Sequence, residues 1–174
     1  MEIEDLLKEG DRRSLGKSQQ LVLMIDQQKD FDLLFSYLFD QDRKVVMRAA
    51  DAIEKITRQH PDYLKTHQKE ILSLCKTASH IELKWHLALL VARLSLSTKE
   101  LGLVWQLLTQ WLLNRKESRI VRVNALQSLF DLVKYKPELR QDLNHSLVDL
   151  AQENIPSINA RLRKLLKQTP KIAT

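Results

Sequence analysis

Residues 45–56, VVMRAADAIEKI, carry the clearest structural signal of the sequence. The apolar residues of this stretch recur at intervals of three and four, from Val45 through Ala49, Ala52 and Ile53 to Ile56. Such spacing places the side chains on one face of a helix, where they form a buried stripe. The stretch therefore predicts a helix that packs this one face against the rest of the protein.

Three later segments repeat the stripe at a nearly constant distance. The stripes begin at Val45, Leu83, Val121 and Ile158, which gives steps of 38, 38 and 37 residues. The second stripe holds Leu83, Leu87, Leu90, Val91 and Leu94, the third Val121, Ala125, Ser128, Leu129 and Leu132, and the fourth Ile158, Leu162, Leu165 and Leu166. Internal repeats of this length predict an array of stacked structural units.

Another apolar segment precedes each stripe, so every repeat is predicted to contain two helices. The first helices, called A, cover residues 31–39, 71–75, 103–113 and 143–150, and the stripe-bearing helices are called B. Turn and capping residues separate A from B at 40–42, 77–79, 114–116 and 154–156. Pro61 and Pro137, each followed by an acid, suit a first helical turn. Ser97 or Thr98 can cap the corresponding helix between them.

This pattern resembles HEAT repeats over residues 30–168. The resemblance rests on the paired helices, the period, the B-helix segment IVRVNAL at 120–126 and, more loosely, DRKVVMRAA at 42–50. The whole chain also resembles small, stand-alone bacterial HEAT-repeat proteins. The resemblance implies an all-α fold, a right-handed α-α superhelix (HEAT-like solenoid) with about four helix pairs and a degenerate N-terminal unit.

We expect one domain, residues 1–174, with a capping unit at 1–29. Repeats follow at about 30–60, 61–97, 98–136 and 137–169. In the capping unit, a helix at 2–9 is predicted to break at Gly10 and Asp11, and a B-like helix runs from Ser14 or Leu15 to Gln28. Terminal units are commonly atypical because one of their sides faces water.

Composition and charge restrict the class of protein. With 44% hydrophobic and 29% charged residues, and with few glycines and prolines, the chain suits a soluble helical protein. Cys75 is the single cysteine and is expected to be a buried helical thiol, since one cysteine cannot form an internal disulfide. The N-terminus lacks the features of a signal peptide, and no apolar run approaches the roughly 20 residues that span a bilayer. We therefore expect a cytoplasmic protein without membrane contact.

The resemblance places the B helices on the concave face of the solenoid. At about 100° per residue, positions i+2, i+6, i+9 and i+13 point away from the stripe and into a groove. The predicted partner-binding residues are Met47, Trp85, Leu89, Val123 and Phe130, flanked by Arg48, Lys84, Arg122, Arg161, Lys164 and Lys167. Exposed aromatic anchors are typical of interfaces. A helix that is apolar all round is usually buried, however, so strong curvature that closes the groove over these residues stays an alternative.

The leading functional hypothesis is a non-enzymatic scaffold or adaptor that binds a protein or peptide. Its apolar anchors would be Trp85, Leu89 and Phe130, and acidic partner residues would meet the basic C-terminal end. The net charge of +6 keeps nucleic-acid binding, through the basic groove flank and the C-terminal helix, as the alternative. HEAT-like glycosylases that excise alkylated DNA bases are the least favoured resemblance, carried by Trp85 and Asp51 alone.

The sequence predicts no catalytic residue, no metal site, no cofactor and no small-molecule substrate. The five histidines and Cys75 do not follow metal-ligand spacings. The chain contains no glycine-rich phosphate loop and no G-x-S-x-G motif.

Overall fold

The computed structural model describes residues 3–8 and 18–168. Within these ranges the chain forms ten α-helices, four short 3-10 helices and no strand, which confirms the all-α prediction. The α-helices are α1 (Ile3–Lys8), α2 (Ser18–Met24), α3 (Gln28–Ser36), α4 (Arg43–Ile56), α5 (Gln68–Thr77), α6 (Ile81–Leu90), α7 (Thr98–Leu113), α8 (Arg119–Tyr135), α9 (Arg140–Ala151) and α10 (Pro156–Gln168). The 3-10 helices are Tyr37–Phe39, Pro61–His67, Val91–Arg93 and Pro137–Leu139.

The helices form two compact units, residues 1–95 and 96–174. The boundary between the units lies close to the predicted boundary between the second and third repeats. The repeat bounds and the single-domain assignment remain predictions. No helix of the described ranges is both long and apolar enough to cross a bilayer.

In the N-terminal unit, α4 is the central helix and packs against α1, α2, α3 and α6. It begins where the Asp42 side chain caps it by accepting a hydrogen bond from the Lys44 backbone N–H at 2.8 Å. All five stripe residues are buried: Val45, Ala49, Ala52, Ile53 and Ile56. The quoted stretch thus forms the predicted helix and turns the predicted face inward.

The second stripe is also buried throughout, along α6 and the 3-10 turn that continues it. Its preceding A helix is α5, which contacts α6 and holds Cys75. Cys75 is buried, as predicted.

In the C-terminal unit, α8 packs between α7 and α10, and α9 contacts both α7 and α8. Helix α7 starts at a capping box, in which Ser97 and Glu100 each bond the other's backbone N–H. The third stripe is fully buried, with Val121, Ala125 and Leu129 at 0% exposure. In the fourth stripe Ile158 and Leu165 are buried and Leu162 and Leu166 half-buried.

Two local predictions differ from the structure. The B-like helix of the capping unit ends at Met24 rather than Gln28 (its predicted start lies outside the described residues). Gln28 instead begins α3, and its side-chain amide donates hydrogen bonds to the Asp32 carboxylate at 2.7 Å and the Tyr63 backbone carbonyl at 3.1 Å. Pro61 and Pro137 do begin helical turns, but these turns are 3-10 helices that lead into α5 and α9.

Replacing Leu129 by alanine tests the stripe. Leu129 is completely buried in α8, so we expect a loss of about 2–5 kcal/mol in the free energy of unfolding, measured by urea denaturation. The matched control is Leu103→Ala in α7, where the leucine is 48% exposed and a change within about 0.5 kcal/mol is expected. Equal losses in the two variants would contradict the burial pattern.

Candidate functional site

The structure separates the eleven predicted partner-binding residues into three groups. Met47, Lys84, Trp85, Leu89, Val123 and Arg161 are half-buried, Lys164 and Lys167 are exposed, and Arg48, Arg122 and Phe130 are buried. The last three cannot contact a partner as they stand, so their assignment to an accessible groove is wrong. The middle of the groove, around Trp85 and Leu89, remains a prediction.

Phe130 is 0% exposed although it was predicted to anchor a partner. It lies nine residues after the start of its stripe, the same position that Glu54 occupies in the first stripe, and Glu54 is 3% exposed. In the first repeat this position faces the next B segment, since Arg93 bonds the Glu54 carboxylate and backbone carbonyl. In α4 and α8 the i+9 position therefore lies on a buried flank of the B helix, whereas in α10 the same position is the exposed Lys167.

Arg48 is buried because its guanidinium holds a helix end. Its Nη1 donates a hydrogen bond of 2.7 Å to the backbone carbonyl of Leu7, in the last turn of α1. Carbonyls in that turn have no partner within their own helix. Arg48 thus joins α4 to α1 instead of flanking a groove.

Arg122 has a similar role in the C-terminal unit. Its Nε donates to the backbone carbonyl of Leu112, near the end of α7, at 2.7 Å. Its Nη2 lies 2.9 Å from both carboxylate oxygens of Glu153, on the turn before α10. A buried guanidinium needs hydrogen-bond acceptors of this kind, so Arg122 has a structural role inside the protein.

Acidic residues at predicted groove positions of α4 are paired within the N-terminal unit. Asp51 accepts a 2.6 Å bond from Lys55, whose ammonium also reaches Ser18 of α2. Burial disfavours the charged form of Glu54, but hydrogen bonds from Arg58 and Arg93 outweigh it and hold the pKa of Glu54 below its usual 4.5. Burial also lowers the pKa of His86 below 6.5, although Asp51 and Glu54 act in the opposite direction.

An open cleft of about 480 Å³ lies between α8 and α10; we call it the C-terminal cleft. It is lined by Arg119, Ile120, Val123, Asn124, Ser157, Ala160, Arg161 and Lys164. The structure therefore brings together three of the predicted residues, Val123, Arg161 and Lys164. Ile120, at 47% exposure, contributes the most accessible large apolar side chain of the lining.

The C-terminal cleft is strongly basic. In the described part of the chain, Arg119, Arg161 and Lys164 form no ion pair with a carboxylate. Arg161 instead donates from Nη1 to the neutral Gln127 side-chain oxygen at 2.9 Å, and Gln127 in turn donates to Asp131 at 3.0 Å. The amide orients the guanidinium without neutralising its charge.

The family model described as a HEAT repeat domain matches residues 5–169, nearly the whole chain. The chain belongs to the HEAT-repeat family. No curated protein and no solved structure matches the chain significantly. The all-α arrangement of helix pairs with buried B-helix stripes agrees with this family.

Sequence reasoning missed Arg119, Ile120, Asn124 and Ser157 as lining residues of this HEAT-repeat protein. The lining residues can be numbered from the start of the stripe on their own helix. Each helix contributes four of them, and three of the four occupy the same positions in both helices, at i−1, i+2 and i+3. At about 100° per residue, this face is rotated by a few tens of degrees from the predicted one.

A second cleft, of about 430 Å³, lies in the N-terminal unit of the HEAT-repeat protein and has the opposite charge. Its lining consists of Ile3, Glu4, Met24, Ile25, Asp30, Leu33 and Tyr37. The charged side chains of this lining are Asp30 and Glu4, and Glu4 pairs with Lys8, so the described lining lacks the unpaired cations that the C-terminal cleft presents to anionic groups.

Two side chains that nucleophilic or base-excision chemistry could use, those of Cys75 and Asp51, are buried in the HEAT-repeat protein. Burial raises the pKa of the Cys75 thiol to about 12, so this thiol is not a nucleophile at neutral pH. Asp51 is buried and paired with Lys55, whereas base excision would need an accessible carboxylate. No group of three or more metal-ligating side chains occurs in the same ranges.

Replacing Arg122 by methionine is expected to destabilise the C-terminal unit by about 3 kcal/mol, because it leaves the Glu153 carboxylate and the Leu112 carbonyl without their buried partner. Arg119→Met, an exposed arginine one turn earlier on α8, is the control and should change stability by less than about 0.5 kcal/mol. Urea unfolding measures both. A similar result for the two variants would show that Arg122 is not committed to the interior.

Acid is expected to destabilise the N-terminal unit through His86. The unfolded chain binds this proton near pH 6.5 and the folded chain only at lower pH, so the free energy of unfolding falls as pH drops below 6.5. The lowered pKa of Glu54 adds a further loss below pH 4.5. Thermal unfolding between pH 7.5 and 5.5 should show a smaller loss for His86→Gln than for the wild type. The exposed control His145→Gln should follow the wild type, and parallel curves for all three would exclude this role of His86.

Proposed function

We propose that this HEAT-repeat protein is a non-enzymatic protein-binding module whose partner docks in the C-terminal cleft. HEAT repeats generally mediate protein interactions, which supports a binding role. The observation that carries the proposal is the cleft itself, in which three cations that pair with no carboxylate of residues 3–8 and 18–168 lie beside an accessible aliphatic surface.

The aliphatic part of the cleft supports a protein partner. Ile120, Val123 and Ala160 lie on the two facing helices, and Ile120 is about half exposed in the free protein. Burying such a side chain under a partner is favourable, and central apolar contacts surrounded by polar groups are typical of protein interfaces.

The cations of the cleft support selection by charge. Arg119 approaches from α8, and Arg161 and Lys164 approach from α10, so a bound anion meets positive charge from both walls. Charges at the rim of an interface mainly accelerate association and exclude partners of like charge. An acidic protein surface is therefore favoured over a neutral or basic one.

Nucleic acid is the second candidate, since Arg119 continues the basic turn that contains Arg115 and Lys116. Against it, the described lining of the cleft includes no aromatic side chain on which a base could stack. Binding through phosphates alone would lack sequence preference and would weaken steeply with salt. The apolar surface thus favours the protein partner.

Site-specific photo-crosslinking in cells that naturally produce the protein tests the proposal. A photoreactive amino acid at position 120 is expected to give a discrete protein adduct, because this side chain faces the cleft. The control position is 33, where Leu33 is 51% exposed in the N-terminal cleft, and no such adduct is expected there.

Adding Lys164→Glu to the position-120 variant should strongly reduce the yield of the adduct. An undiminished yield in that background, or the same adduct from position 33, would contradict docking in the C-terminal cleft. An adduct with RNA or DNA in place of protein would establish the second candidate instead.

A further inference from the structure

We infer that the C-terminal cleft takes one acidic, amphipathic helix, whose apolar residue packs on Ile120, Val123 and Ala160 while its carboxylates pair with Arg119, Arg161 and Lys164. This inference rests on the proposed function and names the partner's chemistry and conformation.

A helix suits the cleft better than an extended peptide. Both walls are α-helices, whose backbone donors and acceptors are occupied inside the helix beyond the terminal turns. An extended peptide gains affinity by adding main-chain hydrogen bonds to an exposed sheet edge, and the described residues contain no strand. A helix satisfies its own backbone and needs only side-chain contacts, which this cleft supplies.

The spacing of the cations matches a helical partner. Arg161 and Lys164 are three residues apart on α10 and so lie on neighbouring turns of one face. Lys167, also exposed, continues the row by one more turn. Acids that recur every three or four residues on a partner helix meet such a row, while apolar residues on the adjoining face reach the aliphatic surface.

The charge of α10 argues for an acidic occupant. Residues Pro156–Gln168 include four basic residues, Arg161, Arg163, Lys164 and Lys167, and no acid. Neither α8 nor α10 has an acid in its first turn, so the positive ends of both helix dipoles add to the cationic field of the cleft. Glu117, just before α8, is engaged by the Ser118 backbone N–H. An acidic helix placed here offsets repulsion among the basic residues and is therefore expected to stabilise α10.

Peptide binding to the full chain tests the inference. The probe is a synthetic helical peptide with leucines on one face and glutamates at intervals of three and four on the other. Its controls are a scrambled peptide of the same composition, a peptide with lysine in place of glutamate, and a short DNA duplex. Fluorescence anisotropy measures affinity, and hydrogen exchange of α10 measures stabilisation.

The acidic helical peptide is expected to bind at least about tenfold more tightly than each control, and to slow exchange in α10. Lys164→Glu and Arg119→Glu, from opposite walls, should each weaken binding by about tenfold or more. The matched control is Arg163→Glu, which makes the same charge change on an exposed residue of α10 outside the cleft lining, and it should weaken binding by less than about threefold.

Several results would overturn the inference. Equal affinity for the scrambled peptide would exclude a helical occupant, and tighter binding of the duplex would exclude a protein one. Equal losses of peptide affinity in Arg163→Glu and Lys164→Glu would show that binding depends on net charge and not on the cleft. If the peptide fails while position 120 still crosslinks a protein, the acidic helix is excluded and the protein-binding cleft stands. If that crosslink also fails, both the acidic helix and the protein-binding cleft are excluded.

Discussion

The helices pack as they do because four apolar stripes recur at a nearly constant spacing along the sequence and each must be covered. A single amphipathic helix cannot bury its apolar face alone, so each stripe requires neighbouring helices to cover it. In the N-terminal unit α4 meets this requirement by contact with four helices, and in the C-terminal unit α8 meets it between α7 and α10. Because each B helix buries its stripe, the direction of its remaining side chains follows from their angle around the helix. The C-terminal cleft is the part of α8 and α10 that this packing leaves open.

Two buried arginines and one half-buried arginine link helices in addition to the stripes. Arg48 and Arg93 in the N-terminal unit, and Arg122 in the C-terminal unit, each donate to a backbone carbonyl near a helix end. Removing a guanidinium from water is costly, so each such residue must be matched with acceptors from another segment. These links explain why some basic residues lie inside while Arg119, Arg161 and Lys164 keep their charge available. Whether a basic residue links helices or stays available for binding thus depends on the carbonyls and carboxylates that lie close to it.

The sequence was sufficient for the fold because period and helical spacing are local signals. The stripes beginning at Val45, Leu83 and Val121 are buried throughout, and Ser97 does cap α7. The binding site was less predictable. The angle of a residue around its own helix does not tell which flank of that helix a neighbouring helix covers. Phe130 and Glu54 share the i+9 position and are both buried, which single-helix geometry could not show. Likewise, Arg48 and Arg122 looked like surface cations because the carbonyls of Leu7 and Leu112 are brought to them only by tertiary packing. Val123, Arg161 and Lys164 were found because they lie near the centre of the open face.

Helix α8 turns its stripe inward and its cleft face outward, and Phe130 lies on the buried side. Thiol labelling of single cysteine substitutions along residues 119–132 measures this orientation, and the native Cys75 is buried and inert enough to leave in place. We expect rapid labelling at positions 120 and 124 and slow labelling at 121, 125, 129 and 130. Labelling at position 130 as fast as at position 120 would contradict this orientation.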